Sequence, residues 1–213
     1  MTARSGVVVA GGRSTRFGDR EKALAEFEGD PLLRRVADRV VRVVDELVVN
    51  CRADQVGPFR RALADAPCEP RFAVDEAPDR GPVAGLLTGL RAADAPVAVA
   101  TACDMPTLDP GLLDSLFADA RGETGAVPTF DGRPQPLAAV YRVEPAVAAC
   151  AAALDPDADE ACGFGGVLDR LDPVVLPERT VRERADAAAF RNVNAPGDLR
   201  AGEASEACGS HLP

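Results

Sequence analysis

The stretch GVVVAGGRSTRFGDREK at positions 6–22 decides the fold. Its first five residues, Gly6 to Ala10, make a short apolar run of the kind that forms a buried strand. The run exits into Gly11 and Gly12, then into the hydroxyls of Ser14 and Thr15 and a series of charges. Glycines let backbone N–H groups approach an anion with no Cβ in the way, and the two hydroxyls add donors, so the segment reads as a phosphate cradle. Arg13, Arg16, Arg20 and Lys22 outnumber Asp19 and Glu21, which leaves the loop positive inside a chain of net charge −10.

Two common glycine-loop motifs fail here on spacing. A P-loop needs GxxxxGK followed by Ser or Thr, whereas five residues separate Gly12 from Gly18 and Asp19 follows; GxGxxG is absent as well. A bare glycine pair with a solvated charge run is an ordinary turn, and Lys22 sets this one apart. It is the single lysine among 24 basic residues. A chain that uses arginine everywhere else keeps a compact point charge at this one position, which suits a single phosphate better than a planar guanidinium does.

Working outward, apolar runs and turn signals alternate. Leu32, Leu33, Val36, Ala37, Val40 and Val44 recur at helical spacing after Pro31, a residue suited to a first helical turn. Glu46 to Cys51 reads as a strand, 54–65 as a polar helix and Arg71 to Asp75 as a strand. Val83 to Ala93 then reads as a helix, and Val97 to Cys103 as an apolar strand ending at Asp104. Asp109-Pro110 is an N-cap and first-turn proline for a helix to about Ala120. Strands at Gly125–Phe130 and Leu137–Arg142, helices at 144–154 and 164–171, a strand at Val174–Leu176 and a strand-like Phe190–Asn194 follow. The alternation predicts an α/β protein: a three-layer α/β/α, Rossmann-like fold around a mostly parallel sheet, with ligands at the carboxyl ends of the strands.

A length of 213 residues fits one domain, expected over 1–199, and the small polar residues from 200 to 213 read as a disordered tail. Gly 19 and Pro 18 fall short of low-complexity composition, which excludes wholesale disorder and collagen. No apolar run approaches the about 18 residues of a membrane span, and the start shows no cleavable signal pattern, so a soluble cytoplasmic protein is expected. The acidity argues against a nucleic-acid partner, since no basic patch is large enough to overcome the background field. Six scattered cysteines without a CxxC pair, and His211 alone as imidazole, make a zinc site and a disulfide framework poor readings; most of the cysteines are expected to be small core residues.

The loop that begins Ala10-Gly11-Gly12 and ends at Lys22 resembles the nucleotide-binding signature of the nucleotide-diphospho-sugar transferase superfamily. Three further stretches, GPVAGL at 81–86, CDMP at 103–106 and NVNAP at 192–196, resemble the GPLAGL, CDxP and NVNTP segments of the molybdenum cofactor guanylyltransferases, in the same order and at comparable separations over about residues 6 to 199. The resemblance implies an enzyme that transfers GMP from GTP to the phosphate of the molybdenum-molybdopterin cofactor with Mg²⁺, releasing pyrophosphate and forming the guanine dinucleotide cofactor. Its partners are then two small-molecule substrates and, transiently, other molybdenum-cofactor proteins, with a monomer or small homo-oligomer as its state. Other guanylyl- or cytidylyltransferases of the same fold, or a non-catalytic GTP-binding protein, are the alternatives.

The resemblance also distributes roles. Val9, Ala10, Gly11, Gly12, Arg13 and Ser14 become the nucleotide loop, and Arg16 joins Lys22 and Asp104 as catalytic groups. Asp104 stands at the end of an apolar strand, a place for a Mg²⁺ ligand; its other reading is a cap on the turn before Pro106. Gly81 and Pro82 open a helix whose N–H groups can face a base or ribose. Asn50 and Asp75 match nucleotide-contacting positions, with Asp75 able to accept from the guanine N1–H and N2–H₂ edge or from ribose hydroxyls, and Asp79 its competitor. Asn192 and Asn194 alternate and so share one side of an extended segment. The resemblance places that side at the acceptor and metal region, an Asx turn before Pro196 being the other reading for one of the two, and Arg133 and Gln135 of RPQPL are further acceptor candidates. NVNAP carries Ala195 where the family has Thr, and the stretch at 160–166 lacks the arginines expected there. Cys103 beside Asp104 reads as packing, because nothing basic is placed to ionise it.

Overall fold

Strand β1 (Arg4–Val9) lies inside the sheet because both of its faces are covered. Val7 is buried in one apolar layer and its neighbour Val8 in the other, as the two-residue period of a strand requires. A small antiparallel hairpin, β2 (Glu26–Phe27) and β3 (Asp30–Pro31), follows the first loop and turns through Glu28 and Gly29 at positive φ. Helix α1 (Leu32–Val40) leads to β4 (Glu46–Cys51), α2 (Val56–Ala62) to β5 (Arg71–Val74), and α3 (Pro82–Arg91) to β6 (Val97–Ala102). These four long strands pair in parallel in the order β6-β1-β4-β5. The computed structural model describes residues 2–13, 15–18, 20–77, 79–155 and 163–199.

Beyond α4 (Pro110–Asp119) the parallel pattern is interrupted. Strand β7 (Gly125–Phe130) is edged by the two-residue β8 (Arg133–Pro134), and β9 (Ala138–Arg142) runs antiparallel between β6 and β7. Helices α5 (Val143–Ala153) and α6 (Phe164–Leu171), strand β10 (Val174–Leu176) and helix α7 (Glu178–Arg184) complete the described elements, with β10 parallel to β7 at the sheet's end. Leu86 and Leu90 of α3, Cys150 of α5 and Val167 of α6 cover one face of the sheet. Val36 of α1, Phe59 of α2, Leu113 of α4 and Val181 of α7 cover the other, giving the expected three-layer α/β/α sandwich. Among the described residues no helix is long and apolar enough to cross a membrane.

The Asp109-Pro110 start of α4 is as read: the Asp109 carboxylate accepts from the N–H groups of Gly111 and Leu112 at 2.6 and 3.1 Å. Other expectations need correction. Helix α1 stops at Val40 rather than reaching Val44, and Pro31 stands just outside it with an extended ψ of 140°. β-branched Val40, Val41, Val43 and Val44 crowd a helical turn, and Asp45 is held by β1 instead, accepting from the Arg4 N–H at 2.8 Å. Phe190–Asn194 is not a strand. Residues Ala187–Phe190 form a 3₁₀ turn, the Phe190 ring stacks on Phe130, and Val193 is a buried plug whose N–H donates to the Asp104 carbonyl at 2.9 Å. The Asp198 carboxylate takes the N–H groups of Asn194 and Ala195 at 2.8 Å, so they are not left for a ladder. Cys51, Cys68, Cys103 and Cys150 carry free thiols. The expected tail at 200–213, with His211 and Cys208, lies outside the described residues, as does Cys162.

Candidate active site

The parallel strands β6, β1, β4 and β5 all end on one edge, and their loops enclose a cavity of about 680 Å³. Ladder-like bonds continue past the strand ends and bring the loops together: Ala10 N–H to the Asn50 carbonyl at 3.0 Å, Cys103 N–H to the Val9 carbonyl at 3.2 Å, and Asp75 N–H to the Cys51 carbonyl at 2.9 Å. Val9, Ala10, Gly11, Gly12 and Arg13 line the cavity from the first loop. Asn50 and Asp75 line it from the next two strand ends, Gly81 and Pro82 from the start of α3, and Asp104 from the end of β6. Helix α3 opens with Gly81 at a φ of 83°, in the left-handed region, and Pro82 in its first turn.

Lys22 and Asp104 meet across this cavity although 82 positions separate them. The Lys22 ammonium donates to Asp104 Oδ2 at 2.5 Å and to Asn194 Oδ1 at 3.5 Å, and both members of the ion pair are mostly shielded from solvent. The last described residues make this possible, because the Val193 plug packs with Phe17, Phe27 and Leu32 and thereby pins both the glycine loop and the segment bearing Asn194. Arg16 lies exposed on the cavity wall and makes no ion pair among the described residues. Arg13 is engaged by Asp79: its Nε donates to both carboxylate oxygens, at 2.7 and 2.6 Å, and this bond holds the Asp79 carboxyl below its ordinary range. Asp79, the competitor of Asp75 in the sequence, is thus a partner of the loop. Burial first and the nearby Asp104 second push the Cys103 thiol up to about 12, which removes it as a nucleophile near neutral pH.

Asn50 Nδ2 donates to Asp75 Oδ1 at 2.7 Å, and buried Asn50 Oδ1 has no hydrogen-bond partner among the described residues. The absence of side chains at two glycines leaves room for this pair. A Cβ on Gly11 would stand 2.5 Å from Asp75 Oδ2, and one on Gly85 would stand 2.5 Å from Asn50 Oδ1 and 3.0 Å from Val9 Cγ1. Gly85→Ala is therefore expected to destabilise the protein by about 1–3 kcal/mol and to weaken nucleotide binding, because the displaced Asn50 carries Asp75 with it. A denaturant melt read beside a nucleotide titration checks both effects.

The family model described as a MobA-like NTP transferase domain matches residues 6–162, from β1 through every strand end that builds the cavity. The chain belongs to that family. It is 47% identical over 199 residues to the probable molybdenum cofactor guanylyltransferase of Natronomonas pharaonis, covering 93% of this chain and 96% of the relative. It is 42% identical to the one from Haloferax mediterranei, over 94% and 93% of the two chains. In fold it is similar to the molybdopterin-guanine dinucleotide biosynthesis protein A of Archaeoglobus fulgidus, with a TM-score of 0.74 at 24% identity over 96% and 98% of the chains.

In this MobA-like chain most nucleotide candidates converge, and the acceptor candidates divide. Asn194 lines the cavity, whereas Asn192 is exposed and outside its lining. Arg133 and Gln135 lie outside it too: Arg133 is exposed on the β7–β8 hairpin, and the Gln135 amide is spent on the carbonyls of Phe130 and Arg133, at 3.1 and 3.2 Å. Leu137, two positions further on, is the lining residue of that stretch. Ser14, and the arginine-poor stretch up to residue 162, fall outside the described residues. Sequence reasoning passed over Arg52 and Gln55, which lie behind the glycine loop; the one signal was a cation directly after β4.

Among the described residues no three side chains of His, Cys, Asp and Glu gather into a metal cage. A hard divalent ion such as Mg²⁺ needs only one or two carboxylates when substrate phosphates complete its octahedron. Asp104 and Asn194 fit that demand, since oxygens of both already converge on one cation, the Lys22 ammonium.

Proposed function

We propose that this protein transfers GMP from GTP to the phosphate of the molybdenum-molybdopterin cofactor, releasing pyrophosphate and forming the molybdopterin guanine dinucleotide cofactor. The observation that carries the reading is the pairing of Lys22 with Asp104 at the edge where the glycine loop ends strand β1. The guanylyltransferase names of relatives that span more than nine-tenths of the chain support GTP as donor and this cofactor as acceptor.

The chemistry asks for no protein nucleophile. A phosphate monoester is already ionised near pH 7, so an acceptor oxygen attacks the α-phosphorus of GTP in line, one P–O bond forms, and the bond to the bridging oxygen breaks as pyrophosphate leaves. The chain's work is positioning and charge stabilisation. Lys22 leaves Asp104 for the α-phosphate, and Arg16 with the loop amides takes the departing pyrophosphate. Asp75, oriented by its bond from Asn50, accepts from donors on the guanine edge or the ribose. Asp104 and Asn194 would hold Mg²⁺, which when bound supplies neutralisation of phosphate charge. On the acceptor side, Asn194 faces the cavity, whereas Asn192 and Arg133 are exposed outside its lining.

The test is magnesium-dependent pyrophosphate release with GTP, CTP and ATP in turn, each with and without a molybdopterin-type acceptor. Release with GTP only when the acceptor is present is expected. A CTP preference moves the protein to a cytidylyltransferase, and tight GTP binding without turnover under any condition removes the transferase reading.

A further inference from the structure

The glycine loop is held from behind. Arg52, the residue after β4, sends Nη1 to the carbonyls of Gly11 and Gly12 at 3.0 and 2.6 Å. Buried Gln55 sends Nε2 to the Ala10 carbonyl at 3.3 Å. In a trans peptide the C=O and N–H of one unit point in opposite directions, and no peptide described here is cis. Three carbonyls turned towards Arg52 and Gln55 therefore turn three amides, those of Gly11, Gly12 and Arg13, the other way. All three residues line the cavity, and their N–H groups find no acceptor among the described residues.

The same two side chains grip the far end of the loop. Arg52 Nη2 and Gln55 Nε2 both donate to Glu21 Oε2, at 3.1 and 2.8 Å, and Glu21 immediately precedes Lys22. Gln55 Oε1 in turn accepts from the Arg52 N–H at 2.7 Å. The start and end of the loop are thus tied at one point, and the charge of Arg52 is offset by Glu21 and by Asp54 at 3.2 Å. We infer that Arg52 and Gln55 are positioning residues that preorganise the Gly11, Gly12 and Arg13 amides as an anion cradle and fix where Lys22 enters the cavity. Neither needs to touch the ligand. A free glycine pair samples many backbone conformations, and holding one of them beforehand removes that cost from binding and reaction. Only a guanidinium fork reaches two carbonyls and a carboxylate at once; an ammonium has no such span. The inference rests on the transferase reading for the identity of the anion as a nucleotide phosphate.

The experiment follows the Gly11, Gly12 and Arg13 amide resonances of the full chain by NMR while inorganic pyrophosphate is titrated into wild type, Arg52→Gln and Arg52→Lys. In wild type the three resonances are expected to move. Both variants are expected to bind pyrophosphate about 10- to 100-fold more weakly, as for groups displaced on the scale of about 1 Å. Recovery of wild-type affinity by Arg52→Lys would show that charge alone suffices and would overturn the inference, as would unmoved wild-type amides or undiminished binding by Arg52→Gln. Arg52→Lys keeps the charge and so remains informative if Arg52→Gln does not fold. Parallel GTP and CTP titrations separate the two readings: a wild type that places pyrophosphate on these amides but selects CTP loses the guanylyl assignment and keeps the cradle.

Discussion

Asp104→Asn is expected to lower pyrophosphate release with GTP and acceptor by about 100- to 1,000-fold, with the thermal midpoint close to wild type. The fold tolerates the change because the structural duty of residue 104 belongs to its backbone, whose carbonyl receives the Val193 N–H, while its side chain lines the cavity. An amide of the same shape can still accept a hydrogen bond from Lys22. What disappears is the negative charge that residue 104 offers to a hard cation beside Asn194, and with it the means to recruit Mg²⁺ to the phosphates. The half-saturating Mg²⁺ concentration is therefore expected to rise in the variant, whereas GTP binding measured without metal is not expected to weaken. A turn cap predicts the opposite pattern, unaltered turnover with a lower melting temperature, and near-normal release by Asp104→Asn would remove Asp104 from the reaction.

Asp104 was legible in the sequence for the reason that makes it important. The near-continuous apolar run from Val97 fixes where β6 ends, and in an open α/β sheet a carboxylate just past a buried strand stands at the ligand edge. The resemblance picked out Asn50 and Asp75, and β4 and β5 end within a residue of the strand ends read in the sequence. Patterns of burial do not name partners, however. Nothing in Ala138–Arg142 announces that β9 runs antiparallel to β6, and the apolar residues of 190–194 record two separately buried side chains, Phe190 and Val193, rather than a ladder. Arg133 and Gln135 became acceptor candidates through the resemblance of RPQPL to a family segment; the hairpin that carries them is visible only when β7 and β8 pair. Arg52 was hidden for a different reason. Its carbonyl partners lie 40 and 41 positions away, and its place directly after β4 is the one local feature that sets it apart from the other arginines.

Lys22→Ala is expected to lower turnover by about 100- to 1,000-fold as well, and Lys22→Arg is expected not to restore it. The ammonium lies between Asp104 and Asn194 in a place that is mostly shielded from solvent, and there the shape of the cation decides the outcome. A guanidinium fits a carboxylate with two parallel hydrogen bonds, so arginine at this position would hold Asp104 more firmly than lysine does and would release it less readily to a metal. The ion pair also makes Lys22 a competitor for the metal's own ligand before GTP arrives. Removing it is expected to tighten Mn²⁺ binding to the nucleotide-free protein, read by electron paramagnetic resonance, while the same variant turns over poorly. Lys22→Arg is expected to weaken that binding. Because Lys22 leaves Asp104 when GTP binds and the two then act on different groups, Lys22→Ala and Asp104→Asn together are expected to cost at least the product of their separate effects. A double variant no slower than either single one would mean that the ammonium and the carboxylate act as one unit during turnover, and the exchange of Lys22 from Asp104 to the α-phosphate would have to be abandoned.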